Sequence, residues 1–165
     1  MEFNLGTIII SSVFIGICLI PIVLTKGNKK KREKAFLAAL NNIASNHNGK
    51  ISQFEICGDI AIGIDEDNHF AYFYKNVKEK VEELYADLSQ TKCCMINNVS
   101  SIAKYKDHNV KVIEKLELKF LPKVKNNNEV KFEFYNDDES MDLNGELQAI
   151  QKWTDLINSH IKQMN

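Results

Sequence analysis

Residues 60–74 read Ile60-Ala61-Ile62-Gly63-Ile64-Asp65-Glu66-Asp67-Asn68-His69-Phe70-Ala71-Tyr72-Phe73-Tyr74. Ile60, Ile62 and Ile64 alternate with the small Ala61 and Gly63, the period of two that marks a strand with one face toward a core. The polar run Asp65–His69 reads as a loop, and the aromatic run Phe70–Tyr74 reads as a returning strand. The two predict an antiparallel hairpin. Alternation sends Phe70, Tyr72 and Tyr74 to one face and Phe73 to the other, and one of these faces must be core. An open aromatic face would offer anchors to a peptide laid along a sheet edge, so Phe70, Tyr72 and Tyr74 are the candidate partner-binding residues; packing in the core is the competing account.

Working outward, Phe54 and Ile56 alternate with polar neighbours as a preceding strand. Residues 75–88 read two ways: Val77, Val81, Leu84 and Tyr85 fit a helix, whereas Tyr85-Ala86-Asp87-Leu88 opens a strand. Cys93 to Val99 reads as a strand, followed by a polar connection to about Val110. Strands are predicted at Val112–Leu121, from the Leu116-Leu118-Phe120 alternation with Ile113 off it, and at Val130–Tyr135. Pro122 and Asn126-Asn127-Asn128 mark the turn between them. The chain closes on an amphipathic helix with Leu143, Leu147, Ile150, Trp153, Ile157 and Ile161 on one side, expected to be buried. Asp137, Asp138, Glu139 and Asp142 precede it, suited to a helix N-terminus, with Asp142 or Asn144 as the cap. Upstream, Phe36, Ala39, Leu40, Ile43 and Ala44 form the apolar stripe of a helix over residues 29–47, stopped by Asn48-Gly49.

At the N-terminus, Leu5 to Leu24 holds 20 positions without a charge. That length matches the roughly 30 Å of hydrocarbon crossed at about 1.5 Å per residue, so a transmembrane helix is expected. A cleaved signal peptide fits less well, because Glu2 replaces the basic n-region and the apolar run is long. Lys26, Lys29, Lys30, Lys31, Arg32 and Lys34 follow at once. By the positive-inside tendency they place the remainder in the cytoplasm, making this a single-pass protein of the cell membrane. The same cluster suits contact with anionic lipid.

The formal net charge of −1 conceals this asymmetry: residues 35–165 carry 15 Lys/Arg against 20 Asp/Glu, a balance of −5. Such a domain lacks the basic face from which nucleic-acid recognition begins. The 44% hydrophobic and 26% charged fractions are those of a globular chain. The four cysteines include the adjacent Cys93 and Cys94 but no C-x-x-C pair, consistent with reduced, packed thiols. His47, His69, His108 and His160 stand apart, without metal-ligand spacing. Neither catalytic nor cofactor-binding motifs occur, and no cofactor is implied. An enzyme would have to work from the loop holding Asp65, Asp67 and His69, where carboxylates and an imidazole could exchange protons.

Meandering strands followed by a C-terminal helix with a single Trp resemble the pleckstrin-homology-like superfold in its bacterial, membrane-anchored form. The residues carrying the likeness are Gly58–Tyr74, Leu116–Phe120, Lys131–Tyr135 and the helix around Trp153, over about residues 54–162. The resemblance implies a curved antiparallel sheet or split barrel closed by the final helix, serving binding or scaffolding. Inositol-lipid recognition is disfavoured, because Asp65-Glu66-Asp67 stands where phosphate-holding Lys and Arg would be expected. The resulting expectation is an α+β protein: a transmembrane anchor at 1–25, a basic segment and amphipathic helix at 26–49, and a PH-like domain at 50–165. Its expected work is to tether a cytoplasmic module that recognises a protein partner, with oligomeric state left open.

Overall fold

The computed structural model describes residues 30–78, 80–105, 108–124, 129–140 and 142–164. Residues 36–165 form one compact unit. Its architecture is two antiparallel meanders and two helices among the described residues. The first sheet runs β1 (Gln53–Cys57), β2 (Ile60–Asp65), β3 (Phe70–Val77) and β4 (Lys80–Asp87), each paired with the next. The second runs β5 (Thr91–Tyr105), β6 (His108–Pro122) and β7 (Val130–Asn136). Helix α1 covers residues 30–46, and helix α2 spans Glu146–Met164.

The main core lies between the inner faces of the sheets and α2. Ile60, Ile62, Ile64 and Phe73 face Leu118, Phe132 and Trp153, all buried, and Phe73 stacks on Phe132 with ring centroids 4.9 Å apart. A second cluster sits on the opposite face of the first sheet, where Phe36, Leu40, Ile43 and Ala44 of α1 pack on Ala61 and Tyr72. The small residues of β2 make this possible. A Cβ at Gly63 would stand 2.9 Å from Leu40 Cδ2 and 3.2 Å from Gln53 O, so a bare backbone is needed where the helix approaches. The left-handed residue ending α1 is Asn48, with φ 54°, and not its neighbour Gly49.

Charged side chains join the sheets. Lys75 of β3, 6% exposed, meets Glu133 of β7 at 2.6 Å and Glu139 at 2.7 Å. Lys115 holds the other oxygen of Glu133 at 2.6 Å, and Lys80 the other oxygen of Glu139 at 3.1 Å. Burial works against the charge on Lys75, yet the two carboxylates hold its pKa above the ordinary lysine value. Glu133, pushed up by burial, is nevertheless held below the usual range by Lys115 and Lys75; hydrogen bonding from Lys75 does the same for Glu139.

Several expectations are corrected. The expected fold was α+β, with a transmembrane helix ahead of a curved antiparallel sheet or split barrel and a C-terminal amphipathic helix. Among the described residues no helix is long and apolar enough to cross a membrane: α1 carries Lys30, Lys31, Arg32, Glu33 and Lys34, and α2 carries Lys152, Asp155 and Lys162. The stretch Leu5–Leu24 lies outside the described residues. The strands form two sheets, of four and three, and not one continuous curved sheet. Of the two readings left open for residues 75–88, the strand holds over 80–87, where β4 pairs with β3 from Phe70↔Asp87 to Val77↔Lys80 around a turn in which Lys78 is left-handed. The polar stretch before Val110 is not a connection but the far half of the β5–β6 ladder. At α2, the cap is Gly145, whose carbonyl accepts from Ala149 N at 3.0 Å and whose φ is 103°. The helix therefore starts after Leu143, which is exposed, and buries Ala149, Ile150, Trp153, Thr154, Ile157 and Ile161, while Leu147 in its first turn is exposed as well.

Candidate interaction surface

The aromatic residues of β3 are drawn together beneath α1. Tyr72 is fully buried in the α1 cluster, and Phe70 and Tyr74 are half-buried against it. The Tyr74 ring meets Phe36 edge-on at 5.1 Å. Burial, helped by nearby Asp65, pushes the Tyr72 phenol up to about 12, and among the described residues its hydroxyl has no hydrogen-bond partner. Their face is thus occupied by the chain's own helix. Of the basic cluster, Lys26 and Lys29 lie outside the described residues, while Lys30, Lys31, Arg32 and Lys34 are on the exposed first turns of α1.

The loop considered for acid–base work is held together by its first carboxylate. Asp65, buried, accepts from Lys50 N at 2.7 Å, Asp67 N at 3.1 Å, Asn68 N at 2.9 Å and Asn68 Nδ2 at 2.9 Å. Burial alone would raise its pKa, but these donors outweigh it and hold the group low. His69, in a left-handed conformation with φ 60°, turns to α2, its Nδ1 3.0 Å from His160 Nε2. Asp65 and His69 are therefore committed to different partners. Among the described residues, no group of three His, Cys, Asp or Glu side chains is placed to hold a metal ion.

Among the described residues, Cys94 is buried and Cys57 and Cys93 are half-buried. Cys94 is pushed up to about 12 by burial and by neighbouring Cys93, and Cys57 up to about 11 by burial and by Glu146. Neither is poised as a thiolate nucleophile at neutral pH.

Among the described residues, the outer edge of β5 is open. Asn158, on α2, accepts from Cys94 N at 2.9 Å and donates from Nδ2 to Cys94 O at 2.9 Å. One amide thus makes the pair of bonds a neighbouring strand would make. Cys94 N and O point away from β6, so by the alternation of antiparallel ladders those of Ile96 and Asn98 do too. Among the described residues no strand pairs with them, because β5 ends its sheet.

The other edges are guarded as proteins usually guard them, by shortness or charge. β1 has five residues, with Glu55 tied to Lys152 at 2.8 Å and to Trp153 Nε1 at 2.9 Å. β4 carries Lys80, Glu82, Glu83 and Asp87, and β7 carries Lys131 and Glu133. From Cys93 to Ala103, β5 has no charge, proline or glycine, and its Met95 and Val99 are exposed. That uncharged run was the signal available in the sequence. The role of Asn158 had none, since it meets a strand 64 positions away. Comparison with known proteins adds no relative: no family model, curated protein or solved structure matches this chain.

Proposed function

We propose that residues 36–165 act as a protein-binding module that takes up an extended segment of a partner protein along the outer edge of β5, beside α2. The observation carrying this reading is the Asn158–Cys94 amide pair, a strand-like contact that stops after one residue and leaves the next groups along the edge open. Main-chain bonds to Ile96 and Asn98 supply affinity in strand addition, and neighbouring side chains select the sequence. The exposed Met95 and Val99 favour apolar residues on the partner. The likeness to the pleckstrin-homology-like superfold belongs to the same proposal, supported by the meanders of four and three strands and the closing helix.

Selection from a library of displayed peptides, followed by substitution in the edge, tests the reading. Asn98→Pro removes an N–H that points away from β6, a place where a strand tolerates proline. Selected peptides are expected to lose binding to the Asn98→Pro protein while its fold, followed by Trp153 emission, persists. Binding unchanged by that substitution would remove the edge as the site.

A further inference from the structure

β7 pairs with β6 only from Lys115 to Phe120. Beyond that point β5 and β6 continue as a two-stranded ribbon of six residue pairs, from Ser100↔Ile113 to Tyr105↔His108. At about 3.4 Å per residue it reaches roughly 20 Å from the three-stranded part. Val110 and Val112, opposite Ala103 and Ser101, share one face; Ile102, opposite Lys111, lies on the other. All three apolar residues are exposed, Ile102 to 74%.

Two features bear on what this exposed ribbon can contact. First, apolar side chains are exposed on both faces, whereas a protein docked against one face would leave the other in water. A lipid interface surrounds a narrow ribbon. Second, the described residues 100–104 and 109–113 carry Lys104 and Lys111 and no carboxylate, on a unit whose overall balance is −5. That local sign fits an anionic surface and opposes the side-by-side pairing of two identical ribbons. The unpaired edge groups of β5 keep the ribbon out of the hydrocarbon centre, so contact is confined to the hydrated boundary, about 5–10 Å deep.

We propose that the β5–β6 ribbon is a membrane-surface contact: Ile102, Val110 and Val112 enter the headgroup boundary of an anionic bilayer while Lys104 and Lys111 reach the lipid phosphates. The long lysine stems allow this, since they lie along apolar surroundings with the ammonium at the polar level. The contact uses the ribbon alone and is independent of the partner site proposed at Ile96 and Asn98.

The test places a tryptophan in the full-length chain by Ile102→Trp, by Val110→Trp, or, as a control, by Val81→Trp on β4, whose position is 51% exposed. Each is mixed with vesicles of phosphatidylcholine brominated in its acyl chains, with phosphatidylserine as the minor component. Buried Trp153 supplies the same background throughout. Emission added at positions 102 and 110 is expected to be quenched, and that at position 81 is not. Lys104→Gln with Lys111→Gln is expected to shift the ribbon's inserted-to-withdrawn ratio about 30-fold toward withdrawal, at about 1 kcal/mol per lysine. Vesicle binding without quenching at 102 and 110, equal quenching at 81, or no vesicle binding would each overturn the proposal. So would protection of positions 102 and 110 by a second copy in the absence of lipid.

Discussion

Replacing Asn158 separates hydrogen bonding at the β5 edge from simple packing of α2. Asn158→Ala removes both bonds to Cys94, at 2.9 Å each. A net worth of about 1 kcal/mol per bond, reduced where water reaches the half-buried edge, makes the loss about 1–2 kcal/mol. Asn158→Asp is the sharper change. Its carboxylate still accepts from Cys94 N, but its second oxygen faces the Cys94 carbonyl with no proton between them, so at neutral pH it is expected to cost about 2–4 kcal/mol. Protonation restores a donor, which raises the folded-state pKa of the new carboxyl above the unfolded value of about 3.9. The sign follows from linkage: the folded state then binds more protons, so the Asp variant matches the parent most closely below that unfolded value and loses stability as pH rises through the folded one. Urea unfolding read from Trp153, the single tryptophan, measures this as the difference between variant and parent at each pH. Asp and Ala variants with equal deficits at every pH would refute the strand-like pairing.

Other consequences are equally direct. Lys75→Met leaves Glu133 paired with Lys115 and Glu139 with Lys80, and is expected to cost about 2–4 kcal/mol. Because both glutamates have lowered folded pKa values, their contribution is present above the unfolded carboxylate range near pH 4.5 and fades as pH falls through the folded values. The variant's urea midpoint should therefore change less than the parent's on acidification. Gly63→Val forces Leu40 and the Gln53 carbonyl away and is expected to destabilise by about 1–3 kcal/mol, with amides of α1 losing protection first under hydrogen exchange. Cys94, buried and held protonated, should resist alkylation at pH 8 until the chain unfolds, as followed by mass spectrometry.

The parts of the fold legible in the sequence are those where at least one face is dry. Ile60, Ile62 and Ile64 alternate because their alternate neighbours must be small enough to admit α1, and the β2–β3 hairpin follows directly. The α1 stripe of Phe36, Leu40, Ile43 and Ala44 is legible for the same reason. The signal fails where both faces meet water. In the ribbon of β5 and β6, Ser101, Lys104, Asn109 and Lys111 obey no pattern of burial, and the segment reads as a loop. β4 is obscured by charges suited to a sheet edge. Periodicity also misplaced Leu143, because it assumed a helix one turn longer than Gly145 permits, and Leu147, which lies in the first turn of α2 yet is exposed. The candidate surface was half visible, in the uncharged run of β5; its other half depends on a long-range amide contact that no local pattern encodes.

Residue-resolved hydrogen exchange along β5 tests the open edge most directly. Cys94, bonded to Asn158, and Met95 and Asn97, whose groups turn toward β6, should exchange slowly. Ile96 and Asn98 should exchange fast in the isolated protein and slow only when an extended peptide is bound. Slow exchange at Ile96 and Asn98 in the isolated protein would mean that the edge is already satisfied, and the proposed binding mode would have no place to act.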